Sequence, residues 1–457
     1  MQYQTVNPAT EEVIREYSTM DGQQVGRILG CTRQAWEHWR RTSVEERAAH
    51  VRRLGEVLRR NRDDYAPLMT QEMGKPITEA RAEVEKCAWL CDVYAENGPQ
   101  WLADEMVEAD GELHQVVYQP LGVILSIMPW NYPFWQALRF AVPTLLAGNT
   151  SLLKHASNVT GCALVIEELF RDAGFPDDVF RTILADHKTV QALIADNVIR
   201  GVSLTGSTAA GRRIGQWAGR HLKKVVLELG GSDPFIVLDD ADPEVAARNA
   251  VTGRTLNTGQ SCIAAKRFIV MESLLEPFVR HFAARMEQLV VGDPMAEETR
   301  IGPLVNAAAR EEIEDQLARS VAMGAQVLTG GRRPPRKGYF LTPAVVTDVT
   351  PDMPVFREEV FGPVAPVIAV RSAEEALRLA NASEFGLGGS VWTRDLERGI
   401  RLVRQVESGS VFVNSIVKSD PRMPFGGVKN SGLGRELARF GLHEFVNIKG
   451  LNVYRHP

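Results

Sequence analysis

Val202-Ser203-Leu204-Thr205-Gly206-Ser207-Thr208-Ala209-Ala210-Gly211 reads as a buried strand that turns directly into a helix. Val202 to Thr205 form the short apolar run, Gly206 permits a tight turn, and Ser207 is a suitable N-cap for the helix that starts there. Gly211, a turn later, lets that helix approach its neighbours closely. A helix N-terminus at the end of a strand favours anions such as a pyrophosphate. By itself the turn reads either as such a site or as an ordinary helix start. It is not a G-x-G-x-x-G fingerprint, and Gly427-Val428-Lys429 followed by Asn430 is not a Walker loop.

The same alternation extends to both sides. Upstream, Val123-Ile124-Leu125-Ser126-Ile127 and Ser151-Leu152-Leu153-Lys154 read as strands, and the helix after the second runs to about Asp172, with Gly174 and Pro176 as stop signals. Downstream, 225–229 and 235–238 are further strands. Strands near 266–271, 364–370 and 409–414 then alternate with helices near 274–291, 307–323 and 373–381. This pattern predicts α/β architecture with parallel sheets covered on both faces, in two units of similar size that meet near Gly230. Residues 22–97 read as helical, with a capping box at Ser43 and Glu46 and a helix start at Gly74-Lys75-Pro76. The segments 112–118 and 445–454 alternate apolar and polar residues, as half-exposed strands do. They pair either with another subunit or within the chain.

Composition narrows the function classes. A chain of 457 residues predicts two or three domains. A net charge of −5 offers no broad electrostatic case for nucleic acid, and no apolar run has the length of a membrane span. Residues 1–20 show no targeting segment. Five cysteines make no disulfide framework, which predicts a cytoplasmic protein. Cys87 and Cys91, one helical turn apart, have no partners at zinc-like spacing, so no metal is expected and both read as semi-buried helix cysteines.

Four fragments carry chemistry, and each has a plain structural alternative. Cys262, after Gly259-Gln260-Ser261, is either a nucleophile or a core thiol. Glu228 ends a strand before Gly230-Gly231, as a mobile general base or as a capping or ion-paired carboxylate. Asn131 in Pro129-Trp130-Asn131-Tyr132-Pro133 is an oxyanion donor or a turn residue. Lys154, at a strand end facing the ligand crevice, holds ribose or phosphate oxygens or is simply solvated.

In this order the fragments resemble the aldehyde dehydrogenase superfamily. The resemblance runs from Asn7-Pro8-Ala9-Thr10 through Gly74-Lys75-Pro76, Pro129-Trp130-Asn131, Thr205-Gly206-Ser207, Glu228-Leu229-Gly230-Gly231, Gly259-Gln260-Ser261-Cys262 and Glu358-Glu359-Val360-Phe361-Gly362-Pro363. It continues to Pro424-Phe425-Gly426-Gly427-Val428-Lys429, Ser431-Gly432 and Gly434-Arg435-Glu436. It implies a Rossmann-like cofactor domain (1–105 and 121–230), an α/β catalytic domain (231–435) and a small β oligomerisation hairpin (106–120 and 436–457) of a homodimer or dimer of dimers. It also implies Cys262 as nucleophile, Glu228 as general base, and Asn131 with the Cys262 amide as oxyanion hole. Trp130, Lys154, Ser157, Gly206, Ser207, Leu229, Glu359 and Phe361 would hold NAD or NADP. The implied reaction forms a thiohemiacetal and then a thioester on Cys262, which water hydrolyses with Glu228 as base.

Two departures from the family pattern bear on specificity. The usual Lys-Pro-Ser-Glu reads Lys154-His155-Ala156-Ser157 here, and losing that carboxylate admits the 2′-phosphate of NADP. The Gly-x-Gly turn before the next helix reads Ala185-Asp186-His187. Arg139 and Ser419 match positions that succinate-semialdehyde dehydrogenases use for the distal carboxylate, and Arg pairs well with that group. A second arginine of those enzymes is Leu256 here, a loss for which Lys418 is a candidate replacement. The expected substrate is succinate semialdehyde. Uncharged aliphatic or aromatic aldehydes are the alternative, and a non-catalytic protein on the same fold is a more distant one.

Overall fold

Short, mostly apolar runs form the strands of the two large sheets, and the amphipathic stretches between them form helices that cover the sheet faces. The computed structural model describes residues 2–455. Met1 and residues 456–457, at the outer ends of the first and last expected segments, lie outside it.

The first sheet runs in the order Gly432–Leu433, Lys224–Glu228, Ile199–Thr205, Val123–Met128, Thr150–His155, Phe180–Thr182. All pairs are parallel except the first. Chain direction across the sheet reverses between Val123–Met128 and Ile199–Thr205, which opens a crevice beyond their carboxyl ends. The loops that leave these two strands are Pro129-Trp130-Asn131 and Gly206-Ser207, so the topology alone puts two of the quoted motifs side by side.

The second sheet has seven strands, in the order Gln326–Thr329, Ala344–Thr347, Val364–Val370, Ala265–Met271, Asp233–Val237, Gly388–Trp392, Ser410–Val413. Cys262 and Glu359 precede the strands Ala265–Met271 and Val364–Val370. They therefore lie at the amino-terminal edge of this sheet. Gly432–Leu433 leave the second unit and pair with Glu228 and Leu227. The stretch 424–436 thus closes over the end of the Glu228 strand.

The helical stretch resolves into Gly22–Trp39, Val44–Arg60, Arg62–Met73 and Ile77–Trp101, with the Ser43–Glu46 capping box formed. Cys87 and Cys91 are fully buried in the last of these, deeper than the semi-buried placement expected, because both fall on its core face. A hairpin of Gln2–Asn7 and Glu12–Ser18 was not foreseen, since its polar exposed residues mask the alternation. The two alternating segments, Leu113–Pro120 and Val446–Val453, pair with each other in antiparallel fashion, with Glu105–Met106 as a third strand. No helix among the described residues is long and apolar enough to cross a membrane.

Candidate active site

Cys262 follows a strained turn. Asn257 and Thr258 have φ of 57° and Gly259 has φ of 76°. Positive φ in two successive non-glycine residues costs about 1–3 kcal/mol each and persists only where the surroundings hold it. Here they do. The Asn257 amide donates to Glu79 Oε2 at 2.7 Å, and Asn257 Nδ2 donates to the carbonyls of Asn131 and Gln260 at 2.8 and 3.0 Å. Arg254 donates to the carbonyls of Gly259, Val360 and Ala265, and Gly302 N donates to Thr258 Oγ1. Lys266 Nζ donates to the carbonyls of Ser261 and Cys262. These bonds anchor the turn from several elements at once, so the half-buried Cys262 is presented by a rigid support.

Burial pushes the Cys262 thiol up to about 12. Lys266 and Arg139 pull it down, while Glu228 and Glu359 push it further up. The resting group is a thiol, so a base is needed to generate thiolate. Glu228 is 2% exposed at the end of its strand, and burial raises its carboxyl, with Glu436 adding to the rise and Arg139 opposing it. Its Oε1 has no hydrogen-bond partner among the described residues. A Cβ added at Gly426 would lie 2.8 Å from that oxygen, so glycine there leaves the carboxylate room to move.

Asn131 is buried and its Nδ2 donates to the Gln260 carbonyl at 3.1 Å, which leaves the second amide hydrogen available. The helix Pro133–Leu146 starts two residues later. The Glu83 carboxylate receives its first amides, Phe134 and Trp135, at 2.9 Å each, and Lys75 ion-pairs with Glu83 beneath the Tyr132 ring. A buried, charge-balanced cap therefore fixes Asn131. Glu83 and Lys75 were missed as site supports because in sequence they look like a surface helix charge and a helix start.

Trp130, Asn131, Gly206, Ser207, Leu229, Cys262, Glu359 and Phe361 line one cavity of about 600 Å³. Ser207 caps the helix Thr208–Arg220 by accepting from Ala210 N. A Cβ at Gly211 would lie 2.5 Å from Leu229, so this glycine does permit close approach. Gly206 lies in the short turn between the strand ending at Thr205 and the helix beginning at Thr208. Its φ is not positive and an added Cβ meets nothing closer than 3.8 Å, so its missing side chain keeps the cavity floor open. Trp130 and Phe361 stand edge to face at 5.9 Å. Glu359 accepts from Gly231 N at 2.9 Å and lies 3.4 Å from Lys266.

Lys154 and Ser157 lie one strand over, at the end of Thr150–His155. Lys154 is half-buried, with its ammonium pKa lowered by burial, and Ser157 is exposed with no carboxylate in its position. His155 takes a structural part. Nδ1 accepts from Ala156 N and Nε2 contacts the Pro133 carbonyl at 2.9 Å, tying this strand to the helix that follows Asn131. Asp186, in place of the glycine turn, caps the helix His187–Ala195. An open floor, a helix N-terminus, an aromatic pair and a carboxylate within one cavity suit a dinucleotide.

Arg139 is not a free receptor for a carboxylate. It is 2% exposed, ion-paired with Glu436 and stacked 4.8 Å from the Phe425 ring centroid. Ser419 is buried and accepts from Lys86 Nζ at 2.6 Å. Lys418 is exposed. No group of three or more metal-ligating side chains occurs among the described residues.

The pattern of the Aldehyde dehydrogenase family matches residues 1–451. A probable NADP(+) succinate-semialdehyde dehydrogenase of Synechocystis sp. is 47% identical over 445 residues, covering 97% of this chain and 98% of its own. The NAD(P)+ succinate semialdehyde dehydrogenase Sad of Escherichia coli is also 47% identical, covering 97% of this chain and 96% of its own. A crystal structure of succinic semialdehyde dehydrogenase from Streptococcus pyogenes in complex with NADP+ superposes with a TM-score of 0.97 at 37% identity. It covers 99% of this chain and 100% of that one.

Proposed function

The chain belongs to the aldehyde dehydrogenase family, and on that premise we propose that it oxidises succinate semialdehyde to succinate with NADP or NAD. The observation that carries the reading is the single cavity in which Cys262, Asn131, the Gly206–Ser207 helix start, Glu359 and Phe361 meet. The names of the relatives at 47% identity support the substrate.

Burial makes the Glu228 carboxylate a stronger base than an ordinary one, and in this reading it takes the Cys262 proton as the sulfur attacks. The sulfur then bonds to the aldehyde carbon, and the carbonyl oxygen, now an oxyanion, receives the free Asn131 amide hydrogen and the Cys262 backbone N–H. A nicotinamide cofactor, when bound, supplies the hydride acceptor. Trp130, Gly206, Ser207, Leu229, Glu359 and Phe361 would hold it within the cavity, with Lys154 and Ser157 at the adenosine end. Glu228 then gives up the thiol proton to solvent and, again a carboxylate, deprotonates a water that attacks the thioester carbonyl. The C–S bond breaks, the acid leaves and Cys262 is restored. The strained, anchored turn keeps sulfur and oxyanion donors in register throughout.

Steady-state kinetics with succinate semialdehyde and butanal, each with both cofactors, test the reading; equal kcat/KM for the two aldehydes would sink the substrate claim. Arg139→Ala is a poor probe, because it strands Glu436 beside Glu228 in the interior. We also read the sheet of Val446–Val453 as a subunit contact in a homo-oligomer, supported by exposed Ile448 and Tyr454 along it. A cytoplasmic location fits five unpaired cysteines.

A further inference from the structure

The family cation absent at Leu256 has a substitute, and it is not Lys418. Leu256 itself is 41% exposed at the end of the helix Pro243–Thr255 and offers no charge. Lys418 is exposed and its field falls on Asp420. Lys86, on the helix Ile77–Trp101, points the other way, into the protein. Its Nζ donates to Ser419 Oγ at 2.6 Å and stands 4.2 Å over the Trp135 ring. Trp135 is one helical turn before Arg139, whose charge acts on both the Lys86 ammonium and the Cys262 thiol and so places the two in one neighbourhood.

The charge of Lys86 is unbalanced. The nearby carboxylates are committed elsewhere, Glu83 to Lys75 and Asp420 to Arg422. No ion pair to Lys86 occurs among the described residues. Burial, and then the neighbouring Arg139, lower its pKa to about 8, as expected of a desolvated cation awaiting a counter-charge. Donor counting gives the same answer. An ammonium has three hydrogens; one goes to Ser419 and one faces the indole, leaving a third. Ser419 uses a lone pair toward Lys86, so its own O–H is free to donate. One ammonium N–H and one O–H, side by side, match the two oxygens of a carboxylate.

We propose that Lys86 and Ser419 together receive the distal carboxylate of the aldehyde, making Lys86 a specificity-determining residue of this enzyme. The proposal rests on the succinate semialdehyde reading above. Arg139, paired with Glu436, then contributes its field and not a direct contact.

The test compares the full-length enzyme with Lys86→Met, Lys86→Gln and Lys86→Arg, on succinate semialdehyde and on butanal, which has the same carbon count and no charge. Loss of one charge-assisted contact should raise KM for succinate semialdehyde about ten- to a hundredfold in Lys86→Met. kcat should change little, butanal kinetics should hold within about twofold, and Lys86→Arg should recover most of the loss. A purely structural lysine would instead lower activity on both aldehydes alike. That result, or an unchanged preference for the charged aldehyde, overturns the proposal. If Lys86→Met does not fold, Lys86→Gln carries the same comparison. An unaltered enzyme without preference for the charged aldehyde overturns the proposal together with the reading beneath it; a preference that survives in the Lys86 variants overturns the proposal alone.

Discussion

Glu228 Oε1 is buried without a hydrogen-bond partner among the described residues, an arrangement that costs stability and is tolerated where a group must move and bind protons. A carboxyl raised by burial is neutral below its pKa and basic above it. Turnover should therefore climb with pH well above the ordinary carboxylate titration near about 4.3. In Glu228→Gln that limb should disappear and kcat should fall about 10²- to 10⁴-fold. Rapid mixing should still show some acylation of Cys262 before turnover stalls; wild-type turnover in this variant would remove Glu228 from the mechanism. At Ser157, an introduced carboxylate near Lys154 would oppose a 2′-phosphate. Ser157→Glu is expected to raise KM for NADP+ about tenfold or more while leaving NAD+ little affected, read from cofactor titrations at fixed aldehyde. A parallel change for both cofactors would place the 2′-phosphate elsewhere.

The helix Thr208–Arg220 and the loop after Glu228 press together at Gly211, where an added Cβ would overlap Leu229 at 2.5 Å. Leu229 also lines the cavity of Cys262 and Phe361, so a displaced Leu229 side chain would move into the proposed cofactor site. Gly211→Ala should cost about 1–3 kcal/mol in denaturant unfolding and should raise cofactor KM more than aldehyde KM. Unaltered cofactor binding would mean that the helix shifts instead. The strand and helix signals of this element were legible in sequence, and so was the need for close approach at Gly211. The role of Gly206 was not. A turn glycine and a glycine that keeps a cavity open look alike until the atoms across from them are placed. The nucleophile turn was illegible for a similar reason, since Asn257 and Thr258 adopt positive φ only because Glu79, 178 residues away in the chain, and Asn131 hold them.

On the scale of the molecule, Leu113–Pro120 and Val446–Val453 bring distant segments into one sheet whose outer strand, Val446–Val453, carries Ile448 at 59% exposure. An apolar residue on an edge strand invites pairing with a second copy. Ile448→Glu should shift sedimentation from oligomer to a smaller species, whereas an unchanged sedimentation coefficient would remove this strand from the subunit contact. The pairing of Gly432–Leu433 with the Glu228 strand has a second consequence, since it delivers Glu436 to Arg139 and Gly426 to Glu228. The last quoted motif thus belongs to the active site although it is about 200 residues from Glu228 in the chain.

The sequence by itself determined the α/β alternation, the helix caps, and the identities of the thiol, carboxylate and amide, because periodicity and short-range turn chemistry are local properties. Only the tertiary structure decided which charges are spent and which are free. Arg139 and Lys86 are both buried cations, each in the other's field, but Glu436 ion-pairs with one while no carboxylate among the described residues ion-pairs with the other. That distinction depends on three-dimensional neighbours 297 and 333 residues away along the chain, Glu436 and Ser419, and on the loss of water between them, which no local pattern encodes.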